Sequence, residues 1–113
     1  MVLVGIGLFI DHASATNRDA VSNDLVHAAS VAQTYQRRPV IFGGGGGSFV
    51  GFDLRTAIQD LSNMNGSYSV FGAPTDSLVV IEGLGTQPGY IVSEPVKVSI
   101  KVYSNRTVVN EVN

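Results

Sequence analysis

The chain contains no cysteine. Disulfide frameworks, Cys-ligated zinc, iron–sulfur clusters and cysteine nucleophiles are therefore excluded. Charge is scarce as well: Asp, Glu, Lys and Arg make up 14% of the 113 residues, against about 25% in an ordinary domain. Hydrophobic content is an ordinary 44%, so Gly, Ser, Thr, Asn and Val stand where charges would be. A surface with few charges is poorly protected against association, which points to subunit contacts over much of it. The rival reading is a polar, uncharged monomer surface. The net charge of −2 supplies no basic face for counterion release, so nucleic acid is not an expected partner.

Long hydrophobic runs are lacking too. The opening "MVLVGIGLFI" is too short to span a bilayer, so membrane insertion is not expected. It also has no basic flank of the kind a signal peptide carries. No targeting segment is visible, and the expected location is the cytoplasm or the interior of a particle. The length fits one domain, residues 1–113.

What is present reads as an α/β (α+β) chain. Residues 2–10 are rich in Val, Ile, Leu and Phe without polar alternation, which suits a strand covered on both faces. Thr16 with Asp19 three residues on resembles a capping box. Val21, Leu25, Ala28, Ala32 and Tyr35 then recur at helical spacing over residues 17–36, and Pro39 stops the helix. "PVIF" reads as a second strand. Asp53 caps a second helix with Leu54, Ile58 and Leu61 as its apolar stripe, ended by Asn65 and Gly66.

From there the pattern changes to strands. "SYSVFG" and "DSLVVIEG" form a hairpin, and "GLGTQPGY" is a turn-rich connector. "VKVSIKVYS" alternates cleanly, with Val96, Val98, Ile100 and Val102 on one side and Lys97, Ser99 and Lys101 on the other. That is a half-buried strand near an edge guarded by lysines, and "RTVVNEV" adds a last short strand. The expected order is β-α-β-α-β-β-β(-β): a two-layer sandwich of two helices on a mixed sheet, its first crossover parallel and right-handed.

Two segments meet at one edge of such a sheet. The first is "DHASAT" with Asp11 and His12. The second is the glycine run Gly43, Gly44, Gly45, Gly46 and Gly47, followed by Ser48. Ligands of open α/β sheets bind at that edge, and a glycine loop before a helix presents N–H groups to an anion. The run lacks the lysine of a phosphate-binding loop. A structural or mobile loop is the favoured explanation of the glycines, and a linker joining two ends of a rearranged chain is a further one. His12 is the candidate general base, although Asp11, its sequence neighbour, would point away from it on a strand. The rival is a pair of loop polars capping backbone. His27 reads as a partly exposed helix residue, and neither histidine sits in a metal-ligand pattern. Phe49, Val50 and Phe52 are apolar residues beside a glycine loop and are candidates for an oligomer contact. Core packing is their rival.

No catalytic set assembles from these residues, and no cofactor is expected. The leading expectation is a self-assembling structural or scaffold subunit, such as a ring, shell, tube or virion component. Its expected partner is itself. The alternative is a small oligomeric enzyme or binding protein holding a small anionic ligand between Asp11, His12 and residues 43–48.

Overall fold

A computed structural model describes residues 2–89, 91 and 93–113, and for residues 2–12 the backbone alone. One helix, α1 (Val2–Arg37), lies across a five-stranded sheet: β1 (Ser62–Asn63), β2 (Gly66–Phe71), β3 (Val79–Pro88), β4 (Pro95–Val102) and β5 (Thr107–Glu111). Each strand pairs antiparallel with the next, in the order β1-β2-β3-β4-β5. The chain is therefore an α+β domain, with a helix layer on an antiparallel meander.

The packed part of α1 follows its apolar spacing. Val21, Leu25, Ala28, Ala29 and Ala32 are buried, at intervals that put them on one face of a 3.6-residue repeat. They meet the inward side chains of β3 and β4, where Ile81 stands opposite Ile100 and Val79 opposite Val102. Phe49, Phe52, Leu54 and Ile58 complete the core from the connection between helix and sheet.

Polar side chains fix the two ends of this contact. At one end Asn17 donates to the Asn65 carbonyl at 2.8 Å and accepts from the Thr86 and Gln87 amides. At the other, Gln33 donates to the Tyr103 carbonyl at 2.9 Å and Arg37 to that of Ser104 at 2.6 Å. The helix does not stop at Asn17. It continues over residues 2–16, about 22 Å at 1.5 Å per residue, and the molecule measures 62 × 22 × 19 Å.

Several expectations are corrected. Residues 2–10 form helix, not a strand, because an apolar run without period looks the same in either state. Between Leu8 and Pro39 the sequence holds no Gly or Pro, so nothing separates the run from the periodic helix, and Thr16 caps nothing. With no first strand there is no parallel crossover, and the sheet is antiparallel rather than mixed. "PVIF" is not a strand: Val40–Phe42 is a single 3₁₀ turn.

The second helix is likewise two 3₁₀ turns, Leu54–Thr56 and Gln59–Leu61, with Ile58 extended between them. A segment this short gains too few bonds to offset nucleation. Asp53 does cap the first of these turns, accepting from the Arg55 amide at 3.0 Å. Asn65 lies in the turn of the β1–β2 hairpin instead of ending a helix. The supposed connector "GLGTQP" extends β3 as far as Pro88. The lysine-bearing strand is internal, and β5 forms the edge.

Candidate functional site

The glycine run closes the C-terminal end of α1. The last carbonyls of a helix have no partner within it, and here the loop returns to supply donors. The Gly45 amide donates to the Tyr35 carbonyl at 2.8 Å, Gly47 to Gln36 at 2.6 Å and Gly46 to Arg38 at 3.0 Å. Gly43 and Gly44 donate to Val40 and Pro39, and the Gln36 side chain returns a bond to the Gly47 carbonyl at 3.1 Å.

Side chains do not fit this cap. A Cβ on Gly45 would stand 1.8 Å from the Ser48 carbonyl oxygen. Gly47 has open space around it but a φ of +98°, where L-residues are strained. All five amides of the run serve backbone carbonyls, at the helix end where the dipole disfavours anions.

The structure does not bring the two halves of the expected ligand site together. Asp11 and His12 belong to the N-terminal part of α1, and their side chains lie outside the described residues. His12 and Tyr35, where Gly45 is bonded, are separated by about 34 Å of helix at 1.5 Å per residue. Ser48 faces a different partner: its hydroxyl donates to Asp76 at 2.7 Å and accepts from the Val50 amide.

The three apolar residues after the run separate. Phe49 is fully buried, and its amide donates to the Thr75 carbonyl. Phe52 is buried with its ring 5.7 Å from that of Tyr35. Val50 is exposed, and its carbonyl accepts from the Tyr35 hydroxyl at 2.8 Å. Two of the three thus occupy the core of their own chain, as their rival reading had it. A groove beside this cap is lined by Tyr35, Arg38, Gly51, Asp53 and Thr56.

Three consecutive exposed apolar residues precede the run. Val40, Ile41 and Phe42 expose 71%, 85% and 72% of their surface, on one 3₁₀ turn held from behind by the glycine cap. Reading "PVIF" as a strand concealed them. Its shortness and the glycines directly after it were the available signal, since a buried strand rarely runs into five consecutive flexible residues.

A second cluster lies on the helix flank. The Asp24 carboxylate accepts from Asn63 and Asn65, each at 3.0 Å, and from the Tyr68 hydroxyl. Burial pushes the Asp24 carboxyl up. The bonds from Tyr68, Asn63 and Asn65, with His27 nearby, outweigh that and hold it below its ordinary value. Burial first, and the Asp24 carboxylate second, push the Tyr68 hydroxyl well above its ordinary value. The cluster ties the β1–β2 hairpin to α1, and His27 itself is exposed.

Comparisons of this chain with protein-family models, curated proteins and solved structures find no match. Among the described residues no helix is long and apolar enough to cross a membrane.

Proposed function

We propose that this chain is a self-assembling structural subunit, and that copies associate through the N-terminal part of α1 to build a filament or tube. The observation that carries this reading is the helix that outruns its sheet. Residues 2–10, "VLVGIGLFI", contain no polar side chain, so every face of that stretch of helix is apolar. A helix apolar all round is a buried helix. Among the residues whose side chains are described, the N-terminal-most bonds from α1 to the rest of the chain are those of Asn17 and Arg18, and on this reading the stretch before them is covered by other copies.

Magnitude decides whether association can supply that cover. Fully burying the large apolar residues of this stretch is worth on the order of 10–20 kcal/mol at 1.5–3 kcal/mol each. Losing translational and rotational freedom costs about 4–15 kcal/mol. The balance favours association once several copies contribute helices to one bundle. The low charge of the rest of the surface leaves little repulsion to oppose it.

Native mass spectrometry and sedimentation of the full chain test the reading. The unsubstituted protein should form large, concentration-dependent oligomers. A Leu8→Asp, Phe9→Asp variant should remain monomeric with an unchanged melting temperature. A wild-type chain that stays monomeric, binds lipid vesicles as a monomer or carries a stoichiometric anion would overturn it.

A further inference from the structure

We propose that Val40, Ile41 and Phe42 form a docking surface for residues 2–11 of another copy of this chain, an inference that rests on the assembly reading above. The turn that carries these residues is not a loose loop. Its flanking amides, Phe42 to Pro39 and Gly43 to Val40, are bonded at 2.9 Å each, and the glycine cap fixes it to the end of α1. Yet the three side chains remain exposed by 71% to 85%. Fixed, contiguous apolar surface of this kind marks a contact rather than a loop tip.

Two features select the occupant. The first is position. The apolar turn and the apolar run stand at opposite ends of one helix, in a molecule 62 Å long. Contact between unlike ends is heterologous, and where its rotation does not close into a ring it propagates into a filament. The second is charge. Arg37 and Arg38 stand before the turn with only Pro39 between, whereas residues 2–10 carry no charge and are followed by Asp11, with no Lys or Arg before Arg18. Docking the run against the turn brings an acidic residue toward two basic ones. Docking turn against turn would bring four arginines together, which like-charge repulsion opposes.

Because the chain has no cysteine, single introduced cysteines report the contact without background. One sample carries Ile41→Cys; others carry a cysteine at Leu3, Ile6, Leu8 or Ile10, positions that sample successive faces of the helix. Each pair is mixed at a concentration where the unsubstituted chain is assembled, then oxidised, and covalent dimers are identified by mass.

The expected result is that at least one pair gives the mixed dimer in about tenfold excess over the Ile41→Cys homodimer, the ratio one decade of affinity produces. A dominant homodimer, or intact assemblies with no mixed dimer at any of the four positions, overturns the docking while leaving assembly standing. A wild-type chain that does not assemble overturns both. Phe42→Ser supplies a second readout. It should raise the concentration needed for assembly about tenfold with no change in melting temperature, and an unchanged assembly concentration contradicts the proposal.

Discussion

Over residues 17–37 the helix is divided between two environments. Val21, Leu25, Ala28 and Ala32 are buried on the sheet, while Asn23, Ser30 and Thr34 are exposed. Over residues 2–10 the same helix carries no polar residue on any face. The first stretch is covered by its own chain, because its apolar face packs into the core formed with the sheet and Asn17 and Gln33 fasten its ends. The second lies N-terminal to those bonds on the same helix. One backbone conformation thus serves two tasks, folding in one half and, on the reading proposed here, association in the other.

That division can be broken from either side. The largest expected effect is on the packed half: Leu25→Ala removes a fully buried side chain and should cost about 2–5 kcal/mol of stability, read as a fall in melting temperature. Leu8→Ala, in the overrunning half, should leave the melting temperature of the dilute chain unchanged. An equal loss from both substitutions would erase the distinction.

A smaller effect is expected where the packed half ends. Gly45→Ala places a methyl against the Ser48 carbonyl and should cost about 1–3 kcal/mol through displacement of the cap. Gly47→Ala meets no atom and bears only its positive φ, at about 1 kcal/mol. Denaturant midpoints of the two variants order these losses. The same order in their assembly concentrations would show the apolar turn moving with the cap.

The smallest effect is a pH dependence confined to the hairpin latch. The Asp24 carboxyl titrates below its ordinary value in the folded chain. Its contribution is therefore present above the ordinary value of 3.8 and is lost as pH falls through the lower, folded value. Tyr68 runs the other way. Its raised value gives stability that is present below the ordinary value of 10.0 and is lost as pH rises above it. Asp24→Asn should cost a few tenths to about 1 kcal/mol near neutrality and flatten the acid limb of the stability profile. An acid limb unchanged from wild type would place that titration elsewhere.

Legibility in the sequence followed the presence of a period. The stripe from Val21 to Ala32 and the alternation of Val96, Val98, Ile100 and Val102 each match one environment on each side, and both elements stand where their spacing put them. The run over residues 2–10 has one environment on all sides and hence no period. Its β-branched and aromatic content then favoured a strand, and the parallel crossover followed from that. The missing helix breakers between Leu8 and Pro39 were the local signal that outranked propensity. For the glycine run, composition identified an unusual backbone but not its purpose. That purpose depends on which carbonyls lie within reach, and Tyr35, Gln36 and Arg38 are placed by the fold. The same holds for Phe49 and Phe52, which one strand of loop carries into the core while Val50 between them faces out.

Amide hydrogen exchange across α1, at two protein concentrations, tests the division of the helix most directly. In the dilute chain the amides of residues 17–37 should be protected to the level of global unfolding, and those of residues 2–12 should exchange fast. At the concentration of assembly, protection should appear over residues 2–12 with no change over 17–37. Strong protection of residues 2–12 that is already complete in the dilute chain, and indifferent to concentration, would contradict the account.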